Sequence, residues 1–194
     1  MSKVKLVLAS GSPRRREMLE QLGVDFTVHV TQTDETRKEG EQPEDFVARL
    51  ARDKARAAQQ ENNFDDQTAI LAADTIVVQN GRVYGKPSDF DHAKRIWQSL
   101  SGNKHQVMTS VSLLQGESMQ VKVSVTDVEF AVINEVQMQR YWATGEPLDK
   151  AGAYAIQGLA CAWVKSINGS YSNVVGLPLR EVNLLLSQVE LNWL

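Results

Sequence analysis

The chain has 194 residues, 42% hydrophobic and 23% charged, ordinary values for a globular protein and long enough for folding to bury roughly 70% of the unfolded surface. Its formal net charge of −3 argues against a general nucleic-acid binder, so an anionic ligand must meet a local cluster of positive charge. Cys161, with no second cysteine, forms neither an internal disulfide nor a zinc site, which suits a reducing, cytoplasmic setting, and no apolar run approaches the roughly 18 residues that span a bilayer.

Lys5–Ala9 reads as a short apolar strand, starting too close to Met1 to leave room for a secretory signal. It runs into Ser10-Gly11-Ser12-Pro13, where Ser12 suits an N-cap and Pro13 the first helical position. The helix that follows carries Met18, Leu19 and Leu22 on one side and stops at Gly23. Alternation then sets Val24, Phe26, Val28 and Val30 against Asp25, Thr27, His29 and Thr31, which predicts a half-buried strand. An acidic loop covers Thr33 to Glu41, and Pro43 opens a second helix that runs to about Gln60. Ala69–Val78 is apolar almost throughout and predicts a central strand, returned by the Asn80-Gly81 turn into Arg82-Val83-Tyr84. Asp89–Leu100 is an amphipathic helix stopped by Gly102, and Gln106–Leu114 with Gln120–Ile133 forms a hairpin around Gly116. Asn134 caps a helix through Trp142, Glu146–Gly158 is mostly loop, Ala160–Ile167 a strand, and Pro178–Val189 a last helix. The sequon Asn168-Gly169-Ser170 reads as a Gly-centred turn. The order predicts an α/β fold in a single domain spanning 1–194, with room for two lobes.

Four places break local rules, and function is best sought there. Ser10-Gly11-Ser12-Pro13-Arg14-Arg15-Arg16 puts bare amides and three arginines at a helix start, where cations oppose the dipole. An anion held by the amides, Arg14 and Arg15 explains this; an ordinary capped helix with a solvated basic turn is the plainer account. Lys54 falls inside the apolar stripe Val47, Leu50, Ala51, Ala58, whereas Arg49, Arg52 and Arg56 look solvated. Such a lysine either snorkels outward or meets an anion. Asp74 interrupts the apolar row Ile70, Ala72, Ile76, Val78, where a carboxylate is costly unless it binds metal, acts as a base or pairs with a buried cation. Lys86, in Gly85-Lys86-Pro87, follows the hairpin that returns beside Asp74, although a lysine in such a loop is ordinarily a surface residue. Beyond these four, Asp34-Glu35 offers a second carboxylate site for a divalent cation or simply solvent-facing charge. The Gln157 amide matches the polar edge of uracil or thymine, and equally that of adenine.

Arginines, inward lysines and an embedded acid are what phosphoryl chemistry requires, since a triphosphate carries about four negative charges. His29, His92 and His105 lie outside these stretches, and no Ser-His-Asp or Cys-His arrangement is evident, which argues against acyl transfer.

The chain resembles the Maf family of nucleotide pyrophosphatases nearly end to end. The likeness rests on Ala9-Ser10-Gly11-Ser12-Pro13-Arg14-Arg15, Ala51-Arg52-Asp53-Lys54-Ala55, Ala73-Asp74-Thr75, Gly85-Lys86-Pro87, Lys150-Ala151-Gly152-Ala153-Tyr154, Ile156-Gln157-Gly158 and Val175-Gly176-Leu177-Pro178. The resemblance implies a mixed sheet with flanking helices, two lobes around a central cleft, similar to the inosine triphosphatase class. It implies cleavage of a nucleoside triphosphate to monophosphate and diphosphate with a divalent cation, Mg²⁺ or Mn²⁺. By the same resemblance Asp74 is the proton acceptor, with Glu35 as a metal partner. Arg14, Thr75 and Gln157 bear on substrate choice, and Ser10, Arg15, Lys54 and Lys86 line the phosphate site. Arg14 and Thr75 match the branch acting on dTTP and UTP rather than that acting on 7-methyl-GTP. A homodimer and, as a non-enzymatic alternative, a nucleotide-binding regulator of septum formation also follow from the family.

Overall fold

The computed structural model describes residues 4–189 and 191. Seven strands form one mixed sheet: β1 (Lys5–Ala9), β2 (Phe26–His29), β3 (Thr68–Gln79), β4 (Arg82–Tyr84), β5 (Lys104–Gln115), β6 (Ser118–Phe130) and β7 (Val164–Asn168). Their order is β2-β1-β3-β5-β6-β7, with β4 paired to β3. β1 is parallel to both β2 and β3, whereas β4 on β3 and β7 on β6 are antiparallel. The helices are α1 (Pro13–Gln21), α2 (Pro43–Asn62), α3 (Phe90–Leu100), α4 (Glu135–Ala143), α5 (Tyr171–Val175) and α6 (Leu179–Leu186). The expected α/β architecture of a mixed sheet with flanking helices is therefore present.

The chain divides into two compact units: Met1–Asp74, Thr109–Ser124 and Gly176–Leu194 form the first, Thr75–Met108 and Val125–Val175 the second. In the first, Ala55 and Ala58 of α2 pack with Val7, Ala9, Ile70, Ala72 and Leu114 of the sheet. Small side chains let a helix approach a sheet closely. The Ser112 hydroxyl of β5 donates to the Ala51 carbonyl of α2 at 2.8 Å, which measures that approach. The second unit has an aromatic core: Trp97, Tyr141 and Trp163 meet ring to ring, and Phe130, His105 and Tyr154 pack edge to face beside them.

Local signals account for several element ends. Asp89 accepts from the His92 amide at the start of α3, and Asn134 with Gln137 forms a reciprocal capping box on α4. Asn80 and Gly81 both take positive φ (50° and 75°), as a tight hairpin between antiparallel strands demands.

Several expectations need correction. β2 is an edge strand, and Val28 on it and Val30 just beyond its end are 45% and 60% exposed; alternation marks a face but not whether anything covers it. Leu159–Trp163 forms a 3-10 turn, and the strand expected at Ala160 begins only at Val164. The Glu146–Gly158 loop contains two further 3-10 turns, Glu146–Asp149 and Ala151–Ala153. α5 was not foreseen at all. Arg49 is not solvated: its Nε and Nη2 donate to the two carboxylate oxygens of Glu41 at 2.7 and 2.9 Å.

Candidate active site

The register of the parallel strands builds the first cluster. β1 pairs with β3 residue by residue until Ala9 stands opposite Ala72. There β1 turns into the Ser10–Ser12 loop, while β3 runs on through Ala73 and Asp74. The carboxyl end of a parallel strand, followed by a helix start, is where α/β sheets expose backbone amides to ligands. Ser12 takes the N-cap backbone position of α1 but makes no side-chain capping bond, and the first turn holds no acidic residue. The Ser12 amide instead donates to Ser10 Oγ at 3.3 Å.

Arg15 is pinned by three acceptors. Its Nε donates to the Gly176 carbonyl at 2.8 Å, and its Nη1 to Ser10 Oγ at 3.2 Å and the Ala73 carbonyl at 2.7 Å. Burial lowers its pKa from the ordinary arginine value; Asp74 and Glu35 oppose that shift, and neighbouring Arg14 reinforces it. Arg14 is half-buried beside it, while Arg16 is exposed and bonds Glu20 along the helix.

Asp74 is only 7% exposed. Lys54 reaches it from α2, with Nζ 2.5 Å from Asp74 Oδ1 and 2.7 Å from Glu35 Oε1. One ammonium thus joins the acid of the strand to the acid of the loop. Burial pushes the Asp74 carboxyl above its ordinary pKa, and Glu35 pushes the same way; Lys54 and Arg15 pull it down. The result is a carboxylate more basic than usual, held beside cations.

The structure thus brings Ser10, Arg14, Arg15, Glu35, Lys54 and Asp74 together in the first unit. Thr75, Lys86 and Gln157 belong to the second unit. Thr75 follows Asp74 on β3 and is half-buried. Lys86 is exposed just after β4, where the Gly85 carbonyl accepts from the Gly152 amide at 3.0 Å. Gln157 is exposed in the turn between the two last 3-10 segments.

A family model described as "Maf-like protein" matches residues 5–189. The chain belongs to the Maf family. Among its relatives, the dTTP/UTP pyrophosphatase of Pseudoalteromonas atlantica is 50% identical over 187 residues, covering 96% of this chain and 97% of the relative. That of Hahella chejuensis is 47% identical over 184 residues, covering 95% and 92%. That of Escherichia coli is 50% identical over 182 residues, covering 94% and 91%. Among solved structures, the Staphylococcus aureus Ham1 protein superposes with a TM-score of 0.51 at 16% identity, covering 95% of this chain and 97% of that one, which is a likeness of fold.

In this Maf chain no group of three or more His, Cys, Asp or Glu side chains able to hold a metal occurs among the described residues. Asp74 and Glu35 do share one cation, the Lys54 ammonium. Two carboxylates fit a hard divalent ion that completes its shell with substrate phosphates and water; they do not make an all-protein cage.

Sequence reasoning missed the acceptors that pin Arg15, because the carbonyls of Ala73 and Gly176 carry no side-chain signal. It also missed Tyr141 and Glu146, which bond the backbone on either side of Gln157. No helix among the described residues is long and apolar enough to cross a membrane.

Proposed function

We infer that this chain hydrolyses dTTP and UTP to the monophosphate and diphosphate. The observation that carries the chemistry is Asp74: a buried acid in an apolar strand, ion-paired to Lys54, next to the carbonyl that anchors Arg15. The choice of nucleotide is supported by relatives about half identical along nearly the whole chain and named for that activity.

In this reading Asp74 takes a proton from water, whose oxygen bonds to the α-phosphorus. The bond from that phosphorus to the α–β bridging oxygen breaks, and its electron pair leaves with the diphosphate. The proton on Asp74 then passes to solvent. The raised Asp74 pKa makes it a better base, while Lys54 keeps it ionised in a buried site. Ser10, Arg15 and Lys54 line the polyphosphate in the first unit, the uncapped start of α1 presents its amides to it, and the family resemblance gives Lys86 the same ligand. Arg14, Thr75 and Gln157 bear on the choice of base. Asp74 and Glu35 would hold a divalent ion, Mg²⁺ or Mn²⁺, which when bound supplies positive charge to the phosphate oxygens. A cytoplasmic location belongs to the same reading and is supported by the free, exposed Cys161.

The test is diphosphate release from UTP, dTTP, CTP and 7-methyl-GTP with Mg²⁺, with Mn²⁺ and with chelator. Metal-dependent release from UTP and dTTP is the expected result. Turnover of 7-methyl-GTP alone would move the chain to the other branch of the family. Tight binding of every nucleotide without turnover would leave only the regulator.

A further inference from the structure

The backbone on both sides of Gln157 ends on one pair of side chains. The Ala155 amide donates to the Tyr141 hydroxyl at 3.0 Å, and the Leu159 amide donates to Glu146 Oε2 at 3.1 Å. Tyr141 itself donates to Glu146 Oε1 at 2.7 Å, which closes the chain of bonds. Two amides, two positions before and two after Gln157, are thereby tied to each other. We propose that Tyr141 and Glu146 form a clamp that positions Gln157 for base selection; this rests on the reading that Gln157 meets the base.

The clamp has a firm footing. Tyr141 lies on α4 with its ring 5.5 Å from Trp97 and 4.8 Å from Trp163, centroid to centroid. Burial and the neighbouring Glu146 raise its phenol pKa, so it stays protonated and keeps donating. Glu146 follows the end of that helix, where its amide donates to Thr144 Oγ1 at 3.2 Å. Its carboxylate occupies the space beside Gly158: a Cβ there would lie 2.1–2.3 Å from the carboxylate atoms, so any larger residue must displace the Glu146 side chain.

The rest of the segment is anchored upstream. The Gly152 amide bonds the Gly85 carbonyl at 3.0 Å, Trp97 Nε1 donates to the Ala153 carbonyl at 2.8 Å, and the Tyr154 hydroxyl meets His105 Nε2 at 2.8 Å. Gly152 itself carries φ +69° with Val77 where a Cβ would be. From Gly152 to Leu159 the backbone is held repeatedly, while the Gln157 side chain is exposed. A fixed backbone narrows the positions the exposed side chain can reach, which favours discrimination between similar base edges.

The experiment uses Tyr141→Phe, Glu146→Ala, Glu146→Gln and Gln157→Ala in the full chain. It reads amide hydrogen exchange across Ala155–Leu159, and kcat and KM for UTP and CTP. Tyr141→Phe keeps the ring packing and removes only the hydroxyl. Glu146→Gln keeps the shape and one acceptor. The expected result is exchange faster by about tenfold in Tyr141→Phe and Glu146→Ala, each of which frees one backbone amide of the segment. The ratio of kcat/KM for UTP over CTP should fall by a similar factor, mostly through KM, with Glu146→Gln restoring most of it. Gln157→Ala should lower that ratio without changing exchange. Unchanged exchange in Tyr141→Phe and Glu146→Ala would overturn the clamp. Faster exchange with an unaltered ratio, while Gln157→Ala does lower the ratio, would reduce the pair to loop stabilisation and overturn its part in selection. An unaltered ratio in Gln157→Ala would instead overturn the base-reading role of Gln157, whatever the clamp variants do.

Discussion

In the first unit, Asp74, Glu35 and Lys54 are held by mutual compensation of charge; in the second, Gln157 is held through its backbone by hydrogen bonds seated on an aromatic core. The two arrangements respond differently to loss of a member. Removing one partner of a buried ion pair leaves the other uncompensated and alters its protonation. Removing one hydrogen bond from a loop loosens it and leaves every charge where it was. In the proposed reading Asp74 carries the chemical step in the first arrangement and Gln157 contributes to selectivity in the second, so those two roles can be broken separately.

The largest effect is expected at Asp74. Asp74→Asn preserves shape and removes the base, so turnover of UTP should fall by about a thousandfold or more while the protein still folds. Near-normal diphosphate release would take Asp74 out of the mechanism. Next comes Lys54→Met, which removes the ammonium that pulls the Asp74 pKa down against burial. Turnover should fall by roughly a hundredfold. The acid limb of the kcat/KM profile should move to higher pH, because Asp74 then keeps its proton further up the scale. A limb that stays in place would show that Lys54 binds phosphate without tuning the acid.

Acid sharpens the same contrast. Burial pushes His105 down to about 4, and the unfolded chain takes that proton at about 6.5. The unfolded state therefore binds more protons between those values. The stability that neutral His105 provides is full above the upper value and is lost towards the lower one, on the order of 3 kcal/mol. In the first unit, Glu41 is pulled down to about 2 by its bonds to Arg49, so its contribution is present above its ordinary value of 4.5 and is lost only below that. Mild acid should thus loosen the second unit first. Thermal melts across this range, with hydrogen exchange read at Gly152–Leu159, check the order. His105→Gln should flatten the upper part of the dependence, and an unchanged slope would assign the lability elsewhere.

Much of this was legible in the sequence where one residue contradicts its surroundings. Asp74 stood out because its strand is otherwise apolar, and Lys54 because a helical stripe has no place for an ammonium. Turn chemistry at Asn80-Gly81 and the cap at Asn134 fixed element ends for local reasons. What was not legible depends on distant partners. Arg49 resembled its solvated neighbours because Glu41 lies eight positions away in an irregular loop. Val28 and Val30 looked covered because alternation does not reveal that β2 is an edge. Ala160–Ile167 reads as strand by composition, yet its first residues form a 3-10 turn after a backbone held by Glu146 and Tyr141, and no local rule announces bonds made to amides.

The smallest expected effect is the most discriminating for the second unit. Gly158 has φ −105° and ψ −154°, which alanine tolerates, so Gly158→Ala acts only through the space that Glu146 occupies. The added methyl should push the carboxylate off the Leu159 amide, costing about 1 kcal/mol of stability and reproducing the UTP-over-CTP loss of Glu146→Ala. With Glu146 already shortened to alanine there is nothing left to displace. The double variant should then be no worse than either single one, in melting temperature and in nucleotide ratio alike. Additive losses would mean that Gly158 and Glu146 shape the loop independently, and the second unit would be held by ordinary packing rather than by one closed chain of bonds.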